Sequence, residues 1–188
     1  MKRLPKLVGY AAIWSAVGQT PKDGYWKRFA CGAFGHSTDF DDVKALWQHD
    51  HACCVAFNGY GSRSGSVKLW EDGRGLAFEI EPREDADWID GIISEVRAGR
   101  VRGISTGHEP LEGRVDTLSS GLAVYTVRRA RLLEISLIYD PLFRETSVRL
   151  VEPPAAKAEP GAASAVIYYE LHGARFAPSR SGSAVVIC

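Results

Sequence analysis

The sequence predicts a mainly β domain with flanking helices (α+β), packed as a small antiparallel barrel or sandwich. Three observations carry this. Runs rich in Val, Ile, Leu and Tyr with glycine or charged punctuation outnumber helical patterns. The clearest 3.6-residue periodicity is confined to 86–98. Nowhere do strands and helices alternate as a parallel sheet with helical crossovers demands. At 188 residues the chain suits one ordinary domain plus a tail, because a core of that size needs no metal or disulfide to hold it.

The elements follow in order. Leu7 to Trp14 alternates well enough for a strand, and the turn formers of QTPKDG close it. DDVKALW, Asp41 to Trp47, reads as a short helix: two acidic residues suit its N-terminus, and Val43, Leu46 and Trp47 share a face. Strands over Ala52–Asn58 and Ser66–Trp70 flank the loop GYGSRSG. EDGRG then turns the second of them into a hairpin with Leu76–Glu81. In the amphipathic helix Ile89, Ile92, Ile93 and Val96 form the apolar stripe, with Asp85 or Asp87 to cap its start and Gly99 its end. VRGIST, GLAVYTV and RLLEISLIY read as three further strands. Composition changes at Glu152, where EPPAAKAEPGAASA offers too little apolar surface to offset chain entropy. The expected division is therefore a domain over 1–151 and a linker with a C-terminal tail over 152–188. In that tail, AVIYYEL and SAVVIC could form a final strand, a removable peptide or an aggregation-prone end.

The bulk numbers exclude several functions. Lys and Arg total 23 and so do Asp and Glu, which leaves no net field to gather nucleic acid or an anionic membrane. Apolar runs such as LVGYAAIW fall short of the roughly 20 residues a spanning helix needs. The amino terminus turns from basic to apolar but lacks a small-residue cleavage pattern, so it reads as a first strand. Cys31, Cys53, Cys54 and Cys188 include a vicinal pair that fits neither a zinc knuckle nor a C-x-x-C redox motif; reduced thiols are expected.

Three residue types could carry chemistry. Gly103-Ile104-Ser105-Thr106-Gly107 matches G-x-S-x-G, a spacing that exposes a serine hydroxyl on a sharp turn, although the short chain lacks the alternating α/β order of the hydrolases known for it; a glycine-flanked serine at a strand end is the alternative. His49, in QHDH, suits a proton acceptor near neutral pH because imidazole titrates there. A metal shell is the competing reading for it, with His49 and His51 on one strand face and His108 and Glu109 completing the set. Glu134 lies inside an apolar strand, so it either faces outward in a surface ion pair or meets a buried partner such as an imidazole.

These landmarks fall in one order. GYAAIW, RFACGAF, VKALWQHD, LWEDGRGLAFEIE, VRAGRVRGISTGHE and RLLEISLIYDP, from Val8 to about Leu150, together resemble the prohead (capsid maturation) serine proteases of tailed phages, which are similar in mechanism and fold to the herpesvirus assembly proteases. The resemblance implies a small antiparallel β-barrel of the herpesvirus-protease type and a serine endopeptidase that trims scaffold and capsid proteins, often including itself. It implies Ser105 as nucleophile, His49 as general base and Glu134 in the third role, a role that related viral proteases can give to a second histidine. No cofactor and no metal are implied. The implied partners are the major capsid protein with its scaffolding segment, the portal, and a second copy of the chain in a homodimer. The implied place is the host cytoplasm, inside the assembling prohead. Thr106 departs from the family pattern, which has an aromatic after the serine, and His108-Glu109-Pro110 replaces a more apolar continuation. Two readings compete with the protease: an inactive assembly or scaffolding protein that retains the fold, and an esterase-like hydrolase suggested by G-x-S-x-G alone.

Overall fold

The computed structural model describes residues 4–20, 25–35, 42–58, 64–154, 169–171, 174–178 and 184–187. The chain divides into two compact units, Met1–Pro153 and Pro154–Cys188. Most of the segment expected to be a linker lies outside the described residues.

The first unit contains β1 (Lys6–Ile13), β2 (Gly18–Gln19), β3 (Trp26–Phe29), β4 (Lys44–Trp47), β5 (Asp50–Phe57), β6 (Ser66–Glu71) and β7 (Gly75–Glu81). The helix α1 (Ile89–Arg97), β8 (Gly103–Thr117), β9 (Ala123–Ile138) and β10 (Ser147–Val151) follow. One sheet is wholly antiparallel, in the order β10-β1-β7-β6. The other runs β2-β3-β9-β4-β5, with β8 along the opposite edge of β9. In the second unit β11 (Tyr169–Leu171), β12 (Ala174–Pro178) and β13 (Ala184–Ile187) form an antiparallel sheet of their own. The mainly β class is seen; among the described residues these ladders do not close into a barrel.

A single core joins both sheets of the first unit to the helix. Leu7, Phe78 and Ile80 reach it from the first sheet, Phe29, Ile135 and Leu137 from the second, and Ile89, Ile92, Ile93 and Val96 from α1. The helical stripe read from the sequence is thus the buried face. Gly99 ends the helix at φ 69°, donating its N–H to Val96 O, because only glycine adopts that conformation without strain. Asp85 does not cap the start but pairs with Arg83, and Trp88 stands at the cap position with no side-chain hydrogen bond.

Three expectations give way. The described part of DDVKALW, from Asp42, is not an α-helix: Lys44–Trp47 is strand β4, hydrogen-bonded on both sides, parallel to β9 and antiparallel to β5, and that pairing overrides local helix propensity. The second sheet is mixed rather than antiparallel, since β9 takes β3 along 124–127 and β4 along 134–137, both parallel. GLAVYTV and RLLEISLIY are one strand of 16 residues. Its partner β8 runs through Pro110 and Gly113 to Thr117, with register shifts at Gly107/His108, Pro110/Glu112 and Glu112/Gly113. Each such bulge resets the two-residue alternation and hides the strand from a periodicity reading.

Candidate active site

The site is built on the C-terminal half of β9. Glu134 and Ser136, two residues apart, point to the same face of the sheet. Ser136 is fully buried and Glu134 nearly so. A carboxylate there would be costly if left alone, and both its oxygens are occupied. Oε2 accepts the Ser136 hydroxyl at 2.6 Å, and Oε1 accepts Nδ1–H of His49, also at 2.6 Å. An ionised carboxylate can only accept, so this contact selects the tautomer with its proton on Nδ1, in which Nε2 carries the neutral ring's lone pair. The imidazole itself is half-exposed.

His49 reaches this position from a hairpin turn. Trp47 pairs with Asp50, leaving Gln48 and His49 as the turn residues, at φ 53° and 61°. Positive φ at both is the type I′ pattern, which normally selects Asn-Gly; a side chain in this region costs about 1–2 kcal/mol. The turn is tied down where it meets β9. Gln48 donates its N–H and its side-chain amide to Leu137 O, and the N–H of His49 donates to Ser136 Oγ at 3.1 Å.

Ser105 lies in β8, directly opposite Ser136 in the antiparallel register, and is partly exposed. It is therefore in a strand, as VRGIST reads, and not on the sharp turn that the G-x-S-x-G spacing alone suggests. Its two glycines have another reason to be there. A Cβ on Gly107 would stand 2.3 Å from Glu134 Oε1, and one on Gly103 would stand 2.4 Å from Thr146 Oγ1. Each glycine clears the way for one neighbour. Gly107 admits the carboxylate that holds His49. Gly103 admits the loop after Asp140, which Thr146 pins to β8 by accepting the N–H of Ile104 and donating to Phe143 O.

His49 and Ser105 line one cleft of about 880 Å³. Gly18 and Trp26 line it too, together with Asp140, Leu142 and Arg144 of the pinned loop. The three residues singled out from the sequence are thus near one another: Glu134 touches His49, and His49 shares the cleft with Ser105.

His108 is elsewhere. The bulge after Gly107 turns it into the aromatic core, where it meets Phe29 and Phe34 edge-on. Its Nδ1–H donates to Thr106 O, and its Nε2 accepts from Lys27 Nζ at 2.5 Å. Burial first, and the Lys27 charge second, push its pKa down to about 4; burial lowers that of Lys27 as well. His108 therefore cannot complete a metal shell with His49 and His51, and it stands apart from the Glu134–His49 pair. Among the described residues no group of three or more His, Cys, Asp or Glu could hold a metal ion.

Sequence reasoning missed Ser136, Thr146 and the Lys27–His108 pair. The first had a signal: a serine two residues from a carboxylate in an apolar strand shares its face. The other two depend on contacts remote in the chain.

No match is found among curated proteins or among solved structures. Among the described residues no helix is long and apolar enough to cross a membrane. The family model of the caudovirus prohead serine proteases does match, over residues 2–159, and the chain belongs to that family.

Proposed function

We propose that the protein is a serine endopeptidase that processes the major capsid protein and its scaffolding segment during prohead maturation, with Ser105 as nucleophile, His49 as general base and Glu134 as the group that orients the base. The observation that carries this reading is the Glu134–His49 contact at 2.6 Å at the edge of the cleft that also contains Ser105. The carboxylate fixes the tautomer that leaves Nε2 basic and would stabilise the imidazolium formed during attack. Ser105 Oγ bonds to the scissile carbonyl carbon as its proton passes to His49 Nε2. That proton then goes to the departing amine, and water activated by the same nitrogen hydrolyses the acyl-enzyme. Such a cycle needs no cofactor.

The 140–145 loop, which Thr146 holds beside β8 and which contributes Arg144 to the cleft, is the proposed source of donors for the developing oxyanion. The C-terminal segment from 152 is proposed as a further substrate, removed by self-cleavage. The portal and a second copy of the chain are proposed partners, and the host cytoplasm, inside the assembling prohead, is the proposed site of action.

Coexpression with the capsid protein followed by mass spectrometry tests the reading. Wild type should give defined cut products that the Ser105→Ala variant does not. Identical uncut proteins from both would favour the inactive assembly protein, and cleavage that survives Ser105→Ala would remove Ser105 from its role.

A further inference from the structure

The serine in L-L-E-I-S-L-I has no part in the scheme above, yet its hydroxyl is engaged on both sides. Ser136 is fully buried, and its Oγ donates to Glu134 Oε2 at 2.6 Å while accepting the N–H of His49 at 3.1 Å. The hydroxyl's one proton and one of its lone pairs are thus both in use. The two contacts serve different ends: one fixes the carboxylate, the other the backbone of the residue that the carboxylate must meet.

That backbone needs fixing. Gln48 and His49 both sit at positive φ in a turn without glycine, a conformation that persists only where the surroundings over-determine it. Leu137 O binds Gln48 and Ser136 Oγ binds His49, so the turn is fastened residue by residue to the strand that carries Glu134. Ser136 is also the cross-strand partner of Ser105. Directly opposed residues have Cβ atoms roughly 4.5–5.5 Å apart, so this one side chain stands between the strand of the nucleophile and the turn of the base.

We propose that Ser136 is a positioning residue of the hydrolytic site, a hydroxyl hub that sets the distance and orientation between Glu134 and His49. This rests on the nucleophile and base assignments above. Without the hub, Glu134 Oε2 is left buried with no donor, and the carboxylate is free to rotate away from Nδ1. The strained turn also loses the hydrogen bond that holds His49. The effect belongs on the chemical step, because Ser136 touches no substrate.

The test compares wild type, Ser136→Ala, Ser136→Thr and Ser105→Ala on a peptide spanning a capsid-protein cut site. In parallel, the Nδ1–H proton resonance of His49 is followed in ¹⁵N-histidine-labelled protein and assigned by its absence from His49→Ala. Losing a hydrogen bond to a charged group typically costs about ten- to a hundredfold. Ser136→Ala should therefore lower kcat by about that factor with KM within about twofold, and should broaden or shift the resonance. Ser136→Thr, which keeps the hydroxyl, should recover most of both. If Ser136→Ala fails to fold, Ser136→Cys is measured in its place, since a thiol of similar shape is a much weaker donor. An unchanged resonance overturns the inference whether or not kcat falls, because a residue that merely packs would lower the melting temperature and leave that proton alone. Should wild type and Ser105→Ala both fail to cleave, the proteolytic reading fails by itself, and the resonance still decides the role of Ser136.

Discussion

The two histidines His49 and His108 are presented to opposite environments by adjoining parts of the same sheet. His49 stands half-exposed on a strained turn, its Nδ1 held by a buried carboxylate. His108, just past a bulge in β8, is packed among aromatic rings with a lysine on its Nε2. A cation and a dry environment oppose protonation of His108. The first arrangement suits a base that must accept and return a proton in each cycle. The second keeps a neutral ring in the core, acting as a fixed acceptor that satisfies a buried ammonium. Histidine in a sequence marks a proton-transfer group only when the surroundings supply the counter-charge.

The sharpest way to break this comparison is to remove each ring in turn. His49→Ala should reduce peptide cleavage by about 10³-fold or more, as expected for loss of a general base, and should lower the melting temperature only modestly, because the half-exposed ring leaves behind space through which water can reach Glu134 Oε1. His108→Leu should do the reverse. It leaves cleavage per folded molecule nearly unchanged but costs about 1–3 kcal/mol in urea unfolding, because Lys27 Nζ is left buried without its acceptor. The double variant Lys27→Met, His108→Leu should recover most of that loss, since removing both partners leaves no orphan.

A smaller but more local effect is expected at Gly107. A methyl group there would fall 2.3 Å from Glu134 Oε1, so the carboxylate must swing away from His49 in Gly107→Ala. A fall in kcat of about ten- to a hundredfold, with KM little changed, is the expected outcome in the peptide assay. Gly103→Ala should act differently, because the atom it meets is Thr146 Oγ1, which fastens the loop forming the cleft wall. There KM should rise.

The effect confined to the narrowest range of conditions is on stability against pH. The folded pKa of His108, about 4, lies below the ordinary 6.5, so the unfolded chain takes up the proton first. Its contribution is present above 6.5 and is lost as pH falls toward 4. Urea unfolding between pH 7 and 5 should show about 2 kcal/mol of loss from this group, and the Lys27→Met, His108→Leu variant should lack that increment.

The same contrast explains what could be read in advance. β6 and β7, the stripe of α1 and the strand character of 7–14 follow from local periodicity, because turn, pleat and helical face are set by neighbours in sequence. Glu134 could be singled out because a carboxylate in an apolar strand demands a partner. Ser105 could be placed in a strand from VRGIST, but the purpose of its glycines could not, since they serve clearance for Glu134 and Thr146 and not the sharp turn that G-x-S-x-G alone suggests. β4 was mistaken too, because its conformation is imposed by β9 and β5 on either side. The Lys27–His108 pair joins residues 81 apart and had no local signal at all.

The most direct test of the central claim is covalent labelling with a serine-directed fluorophosphonate, followed by peptide mapping in the mass spectrometer. The account predicts a single adduct on the peptide carrying Ser105, present in wild type and in His108→Leu and lost in His49→Ala. An adduct on another serine, or labelling of Ser105 that is indifferent to His49, would contradict it.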